Sequence, residues 1–101
     1  MMSLTTHVAE DGRWTTIKIS GRFDFSVHKE FRQAYEQARP DGKFTLDLRQ
    51  TEYMDSSALG MLLLLREHAG GDAADVSLMH CSPTIHKILM TANFDKLFHI
   101  R

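Results

Sequence analysis

The sequence predicts an α/β fold: a mixed, partly parallel sheet of about four to five strands with about three to four helices packed on it. Two observations lead to this prediction. Segments rich in β-branched and aromatic residues alternate along the chain with segments of about 12 residues whose apolar positions have helical spacing. In addition, the first two strand-like segments follow each other directly. A chain that crosses by a helix returns to the sheet in the same direction, whereas a short turn reverses it.

The N-terminal third predicts a hairpin followed by an amphipathic helix. Residues 4–8 (LTTHV) and 14–19 (WTTIKI) have strand composition, and the EDGR between them is a turn signal. After GRFD, which we interpret as a loop, apolar residues recur at helical spacing over residues 27–38. Ser26 stands directly before this segment and is the predicted N-cap.

The remaining two thirds alternate between strands and helices. The predicted elements are a strand over residues 43–49, a helix over 56–69, a strand over 75–80, a helix over 82–93 and a short final strand using Leu97, Phe98 and Ile100. Gly70 and Gly71 end the middle helix. Ser82 is the predicted N-cap of the last helix, with Pro83 at its first position and Asn93 near its end.

Length and composition limit the functions to be considered. A chain of 101 residues accommodates one domain, over residues 1–101, with one modest core. Its formal net charge of -1, without any block of basic residues, argues against nucleic-acid binding. The longest apolar run, over residues 58–65, is far shorter than the roughly 20 residues of a membrane span. No signal peptide is recognisable, and one cysteine suits a reducing compartment, so we expect a cytoplasmic protein.

Asp55, Ser56 and Ser57 form the most informative short motif. They follow the strand predicted to end near Leu48 and open a very apolar helix, and loops at the carboxyl ends of parallel strands are the usual functional edge of such a sheet. One interpretation is structural: Ser56 or Ser57 caps the helix. A second interpretation is that one of these serines is modified or bound by a partner.

Catalysis by this chain is the weaker hypothesis. A nucleophilic serine needs a base and an oxyanion hole, and the G-x-S-x-G pattern is absent. The six histidines are expected to be ordinary surface residues, and His80, Cys81 and His86 do not follow a zinc-site spacing. There is no phosphate-binding glycine loop. We therefore predict no catalytic residue, no metal and no cofactor.

The helical wheel of residues 56–69 predicts an apolar outer face. Advancing 100° per residue divides the helix into an inner and an outer face. The inner face holds Ala58, Met61, Leu62, Leu65 and Ala69, and the outer face holds Ser56, Gly60, Leu63, Leu64 and Glu67. Leucines on an outer face indicate contact with a partner. Glycine at position 60 fits either the close approach of a partner or tight packing within the domain.

A serine at a helix N-terminus is also well placed to accept a phosphate. The unpaired amides and the helix dipole at that end favour the charge of about -1.5 to -2 that a phosphate adds. The neighbouring aspartates oppose this charge, so the modification is energetically costly and reversible in effect.

Three stretches carry a resemblance to a known family. ISGRFD, LDLRQTEYMDSSALGMLLLL and SPTIHKILMTANFDKLFHI are similar to the STAS family, whose domain is shared by anti-sigma factor antagonists and the cytoplasmic tails of sulfate transporters. The resemblance covers nearly the whole chain and implies a STAS-like single domain. It departs at Ala58, where many relatives have glycine. The tethering to membrane spans found in the transporters does not fit this chain.

The resemblance also implies the roles of individual residues. In the stand-alone antagonists the serine directly after the aspartate is phosphorylated, which is Ser56 here. Asp24, Asp55 and Ser57 form its expected environment, with Ser57 as a helper or cap. Gly60, Leu63, Leu64 and Glu67 are the expected partner-binding residues.

The implied function is partner switching in bacterial transcription regulation. The unphosphorylated protein binds an anti-sigma factor that is also a serine kinase and thereby frees a sigma factor; phosphorylation releases the partner, and a PP2C-type phosphatase restores binding. An alternative is a STAS adaptor that regulates another signalling protein, such as a diguanylate cyclase or a stressosome-like complex. A serine hydrolase is the third hypothesis.

Overall fold

The structure, a computed structural model, describes residues 4–101. Its strands are β1 (Leu4–Val8), β2 (Trp14–Ile19), β3 (Gly21–Phe23), β4 (Lys43–Asp47), β5 (Thr51–Met54), β6 (Asp75–Met79) and β7 (His99–Ile100). Its α-helices are α1 (His28–Glu36), α2 (Ser56–His68) and α3 (Pro83–Thr91). Short 3-10 turns cover Phe25–Val27, Gly71–Ala73 and Phe94–Lys96.

The main sheet has five strands in the order β1-β2-β4-β6-β7. The β1–β2 hairpin is antiparallel, and the other neighbouring pairs are parallel. The register aligns Ile17, Leu46 and Leu78 across the sheet, and all three are fully buried. The α/β fold class, the hairpin and the partly parallel sheet are therefore confirmed.

A second sheet of two strands differs from the prediction. β3 and β5 pair in parallel, so GRFD contains a strand, and β5 intervenes between Leu48 and the Asp55 motif. Strands of three and four residues are too short to show a period of two in the sequence. The side chain of Thr51 ties this sheet to the main one, because its buried hydroxyl donates to the carbonyl of Ile19 at 2.8 Å.

The helix ends correct one predicted cap and confirm another. Ser26 is not the N-cap of α1, because Asp24 caps the preceding 3-10 turn and Val27 occupies the cap position of α1 without a side-chain bond. Ser82 caps α3 as predicted: its hydroxyl accepts a hydrogen bond from the amide of Ile85 at 3.2 Å. The final strand begins later than predicted, at His99.

The core lies between the helices and one face of the main sheet. The predicted inner face of α2 is buried there, formed by Ala58, Met61, Leu62, Leu65 and Ala69. The expectation of a surface histidine is wrong at His68, whose ring centroid lies 5.1 Å from that of Tyr35 and 6.3 Å from that of Phe44. In the described part of the chain, no helix has the length and hydropathy needed to cross a membrane.

Candidate functional site

Asp55, and neither serine, caps α2. Asp55 has extended backbone angles, and its Oδ1 accepts hydrogen bonds from the amides of Ser57 at 3.0 Å and Ala58 at 3.2 Å. Ser56 and Ser57 are the first two residues of the helix. The interpretation of either serine as the cap is wrong, because a carboxylate one residue earlier already satisfies these orphan amides.

The two serines have different surroundings. The hydroxyl of Ser57 is half-buried and donates to Asp55 Oδ1 at 2.5 Å. Ser56 is exposed, and its hydroxyl has no hydrogen-bond partner among residues 4–101. The Ser56 hydroxyl is therefore accessible without the loss of an internal contact, whereas the Ser57 hydroxyl is engaged.

Asp24 occupies the corresponding position on the neighbouring strand. Phe23 of β3 is aligned with Met54 of β5, so Asp24 and Asp55 leave two parallel strands at the same end. Adjacent strands lie roughly 4.8 Å apart, which places the two aspartates side by side. Asp24 Oδ1 accepts hydrogen bonds from the amide of Ser26 at 3.0 Å and from its hydroxyl at 2.5 Å. The structure thus brings Asp24, Asp55 and the two serines of α2 to one edge.

Arg22 and Tyr53 link the two aspartates, and sequence reasoning missed both. Arg22 Nε lies 3.1 Å from Asp24 Oδ2, and the guanidinium carbon lies 3.9 Å from the centroid of the Tyr53 ring. The Tyr53 hydroxyl in turn lies 3.4 Å from Asp55 Oδ2. Arg22 and Tyr53 are aligned across β3 and β5, a pairing that nothing in the sequence indicated because both strands were taken as loops.

Hydrogen bonds keep both carboxylates ionised. The pKa of Asp55 is lowered chiefly by the hydrogen bond from the Ser57 hydroxyl, with the amides of Ala58 and Ser57 adding to it. The pKa of Asp24 is lowered chiefly by the hydroxyl and amide of Ser26, with Arg22 contributing less. At neutral pH, this edge therefore carries two negative carboxylates and the guanidinium of Arg22.

The predicted outer face of α2 is exposed. Leu64 is 61% exposed and Leu63 40%, while Leu62 and Leu65 are fully buried. Gly60 and Glu67 are exposed as well. A Cβ added at Gly60 would meet no atom of the described residues within 4 Å. Of the two interpretations of this glycine, tight packing within the domain is therefore wrong.

Phe25 is a second exposed apolar side chain at this edge, and the sequence analysis did not select it. Its side chain is 62% exposed, and its ring stacks on His28 at a centroid distance of 4.0 Å. Phe25 follows Asp24 as Ser56 follows Asp55, and the two aspartates have nearly the same extended backbone angles. The sequence did not indicate that Phe25 is exposed, because this depends on the orientation of the 3-10 turn Phe25–Val27.

The geometry gives the hydrolase hypothesis no support. Within residues 4–101, no group of three or more His, Cys, Asp or Glu side chains is arranged to hold a metal ion. The Nδ1 of His28 lies 2.8 Å from the carbonyl oxygen of Phe25, and His80 lies against Arg49. In the described chain no histidine is hydrogen-bonded to Ser56.

Comparison with known proteins identifies similar sequences over nearly the whole chain. A family model described as "Mlab, STAS domain" matches residues 6–100. A STAS-domain containing protein of Pseudomonas aeruginosa (strain UCBPP-PA14) is 53% identical over 100 residues, covering 98% of this chain and 99% of that protein.

Solved structures share the fold at low sequence identity. The anti-sigma factor antagonist SpoIIAA in its unphosphorylated form has a TM-score of 0.73 at 17% identity, covering 97% of this chain and 86% of SpoIIAA. The phosphorylated form of SpoIIAA from Bacillus has a TM-score of 0.68 at 17% identity, with 97% and 90% covered. An anti-sigma factor antagonist from Mycobacterium paratuberculosis has a TM-score of 0.72 at 20% identity, with 97% and 85% covered.

Proposed function

This chain belongs to the STAS domain family, and we propose that it is an anti-sigma factor antagonist that switches partners by phosphorylation of Ser56. The observation that carries the proposal is the contrast between the two serines of α2. The hydroxyl of Ser56 is exposed and unengaged, while that of Ser57 is fixed on Asp55. Ser56 thus presents one accessible hydroxyl at the edge of the exposed apolar face that Leu63 and Leu64 form on α2.

The proposal is supported by what the structural relatives are named for. Three solved structures with this fold are those of anti-sigma factor antagonists, and SpoIIAA has been solved both with and without a phosphate. A family fold that carries a phosphate in one member is compatible with the same modification here. The proposed site is one turn of helix at the carboxyl ends of β3 and β5.

In the unphosphorylated state, the outer face of α2 docks the anti-sigma factor. Leu63 and Leu64 supply apolar area, and Gly60 lets the partner's backbone approach closely. Ser56 lies at the N-terminal border of this face and Glu67 at its C-terminal border. Binding of the partner here sequesters it and frees the sigma factor that it inhibits.

Phosphorylation reverses the binding by charge and desolvation. A phosphate adds a charge of about -1.5 to -2 at pH 7, which the bound partner would have to desolvate. The nearby carboxylates of Asp24 and Asp55 add to the negative potential. The positive end of the α2 helix dipole favours the modified side chain in the free protein. The partner is an ATP-dependent serine kinase, and a PP2C-type phosphatase resets the switch.

The test begins by identifying the partner that co-purifies with the unmodified protein, using mass spectrometry. If that partner is an anti-sigma factor kinase, ATP should place one phosphate on Ser56, located by tandem mass spectrometry. Ser56→Ala should abolish the label and Ser57→Ala should retain it. A label kept by Ser56→Ala and lost by Ser57→Ala would contradict the assignment of the serine.

Affinity measured by calorimetry completes the test. Ser56→Ala should bind the kinase like the wild type, and Ser56→Asp should bind more weakly because it adds a charge to the docking border. Equal affinities of all three proteins would argue against a charge switch. Recovery of a diguanylate cyclase or a stressosome-like complex as the direct partner, with no anti-sigma factor bound, would favour the adaptor function instead.

A further inference from the structure

We infer that Arg22 is the cation that pairs with the phosphate of phosphorylated Ser56. In doing so, Arg22 gives up its ion pair with Asp24. This inference rests on the proposed modification of Ser56 and assigns a phosphate-pairing role to a residue outside α2. It is carried by the cluster of Arg22, Tyr53, Asp24 and Asp55 at the edge where β3 and β5 end.

The cluster holds the guanidinium beside the start of α2. The carbon of the guanidinium lies 3.9 Å from the centre of the Tyr53 ring, and the hydroxyl of that ring lies 3.4 Å from Asp55 Oδ2. Asp55 is the N-cap of α2, and Ser56 is the next residue. Tyr53 therefore connects Arg22, across the strand pair, to the aspartate that precedes Ser56.

Arg22 is free to change its partner. Its side chain is 64% exposed, so water reaches the arginine half of its ion pair with Asp24, although the Asp24 side chain is only 18% exposed. The carboxylate does not depend on Arg22, because Asp24 Oδ1 also accepts hydrogen bonds from the amide and the hydroxyl of Ser26. Asp24 thus remains satisfied when the guanidinium moves.

A phosphate is the better acceptor for this side chain. It carries up to two charges and three acceptor oxygens, and the planar guanidinium binds such groups through two parallel hydrogen bonds. Cation–π stacking on Tyr53 is compatible with this arrangement, because the N–H groups of a stacked guanidinium point outward along its edges. Arg22 would then shield the phosphate from the carboxylates of Asp24 and Asp55.

Arg32 provides a matched control. Its Nε also forms an exposed ion pair, 3.0 Å from Glu36 Oε2, with a side chain 68% exposed. It lies on α1, eight residues after Asp24 in the sequence, and Glu36 lies one turn further along. Neutralising Arg32 removes the same charge from the protein without touching the edge that holds Ser56.

The experiment measures the second pKa of the phosphate by ³¹P NMR titration. Phosphoserine is incorporated at position 56 during translation, so that no kinase is needed. A paired guanidinium stabilises the dianion and lowers this pKa from its ordinary value of about 6. Arg22→Gln should therefore raise it by about 0.5 unit or more, and Arg32→Gln should leave it unchanged. Arg22→Lys should give an intermediate phosphate pKa, because lysine keeps the positive charge but cannot form two parallel hydrogen bonds to the phosphate.

An unchanged value in Arg22→Gln, or an equal rise in Arg32→Gln, would overturn the inference. A second measurement does not depend on a variant: the Nε–H resonance of Arg22 in the full-length wild type should shift on phosphorylation, and the resonance of Arg32 should not. The phosphate is installed directly, so these spectra do not depend on the kinase. A kinase that labels another residue would therefore contradict the proposed function without changing the spectra. Labelling of Ser56 without a shift of the Arg22 Nε–H resonance would contradict this inference and leave the proposed function intact.

Discussion

Asp24 caps the 3-10 turn Phe25–Val27 and Asp55 caps α2 in the same way, each accepting the amide hydrogen of the serine two residues later at 3.0 Å. The parallel pairing of Phe23 with Met54 sets the two turns side by side. Phe25 and Ser56 consequently occupy equivalent positions, one apolar and one hydroxylic. The edge is a pair of matched turns, and only one of them has a hydroxyl at the position directly after the aspartate.

The capping carboxylate of Asp55 should make the free energy of unfolding depend on pH in the acid range. Its folded-state pKa lies below the ordinary value of 3.8, so its contribution is present above that value and is lost as the pH falls towards and below it. Asp55→Asn keeps an acceptor for the amides of α2 but cannot titrate. Urea unfolding between pH 7 and pH 2 should show a smaller acid loss of stability in the variant than in the wild type.

Asp95→Asn serves as the control for this measurement, because Asp95 lies in the 3-10 turn Phe94–Lys96 and caps no α-helix. It should follow the acid profile of the wild type more closely than Asp55→Asn does. Parallel profiles for Asp55→Asn and the wild type would show that the cap does not favour the charged form.

Ser57 should matter for stability and Ser56 should not. The hydroxyl of Ser57 is half-buried and hydrogen-bonded to a carboxylate, and loss of such a bond costs about 1 to 3 kcal/mol. The exposed Ser56 should tolerate alanine within about 0.5 kcal/mol. Thermal and urea denaturation of Ser57→Ala and Ser56→Ala provide the comparison. Equal destabilisation by the two changes would contradict the different surroundings of the hydroxyls.

Two leucines of α2 should matter for the stability of the domain, and the other two should matter for binding of the partner. Leu62 and Leu65 are fully buried, and truncating either should cost about 2 to 5 kcal/mol of stability. The double change of Leu63 and Leu64 to alanine should lower the melting temperature much less, because both side chains are exposed.

The same double variant should bind the anti-sigma factor at least about tenfold more weakly, equivalent to 1.4 kcal/mol. Calorimetry with the purified partner measures this directly. Unchanged affinity would remove the outer face of α2 as the docking surface, and a melting temperature as low as that of Leu62→Ala would show that these leucines support the core instead.

Gly60→Ala should stabilise the free protein and weaken binding. Alanine is favoured over glycine in a helix by about 1 kcal/mol, and the added methyl group meets no described atom within 4 Å. For a domain of this size, such a gain raises the melting temperature by about 4–8 °C. Affinity for the partner should fall if a backbone packs against this position.

Gly42→Ala makes the same substitution where the added methyl group has no space, and it is the control for Gly60→Ala. A Cβ there would lie 2.8 Å from the carbonyl oxygen of Arg13, so the backbone would have to shift and the melting temperature should fall. A fall in Gly60→Ala as well would mean that the helix does not tolerate the methyl group. Binding of Gly60→Ala with full affinity would exclude close approach at this residue.

The main sheet could be predicted because its strands are long enough to show their period. β4 alternates buried and partly exposed residues over five positions, and this alternation is legible in the sequence. β2 was predicted from its β-branched and aromatic composition and from the turn before it. The inner face of α2 was predictable for the same reason, since an apolar set at helical spacing must pack inward in a helix of 13 residues.

The second sheet and the network on it were decided by tertiary structure. β3 and β5 are three and four residues long, and they are stabilised by pairing with each other across about 30 residues of chain, which local pattern cannot reveal. The contact of Arg22 with Tyr53 exists only through that pairing.

By itself, the sequence determined the α/β fold, the family resemblance and the outward face of α2, because these follow from local periodicity and from a contiguous motif. Ser56 was selected through that resemblance, and its phosphorylation stays a prediction. The tertiary structure alone decided that Asp55 is the cap, that Ser57 is engaged and that Asp24 stands beside Asp55. The physical reason is that a carboxylate and a hydroxyl compete for the same orphan amides at a helix start. The outcome depends on the backbone angles that the preceding strand imposes.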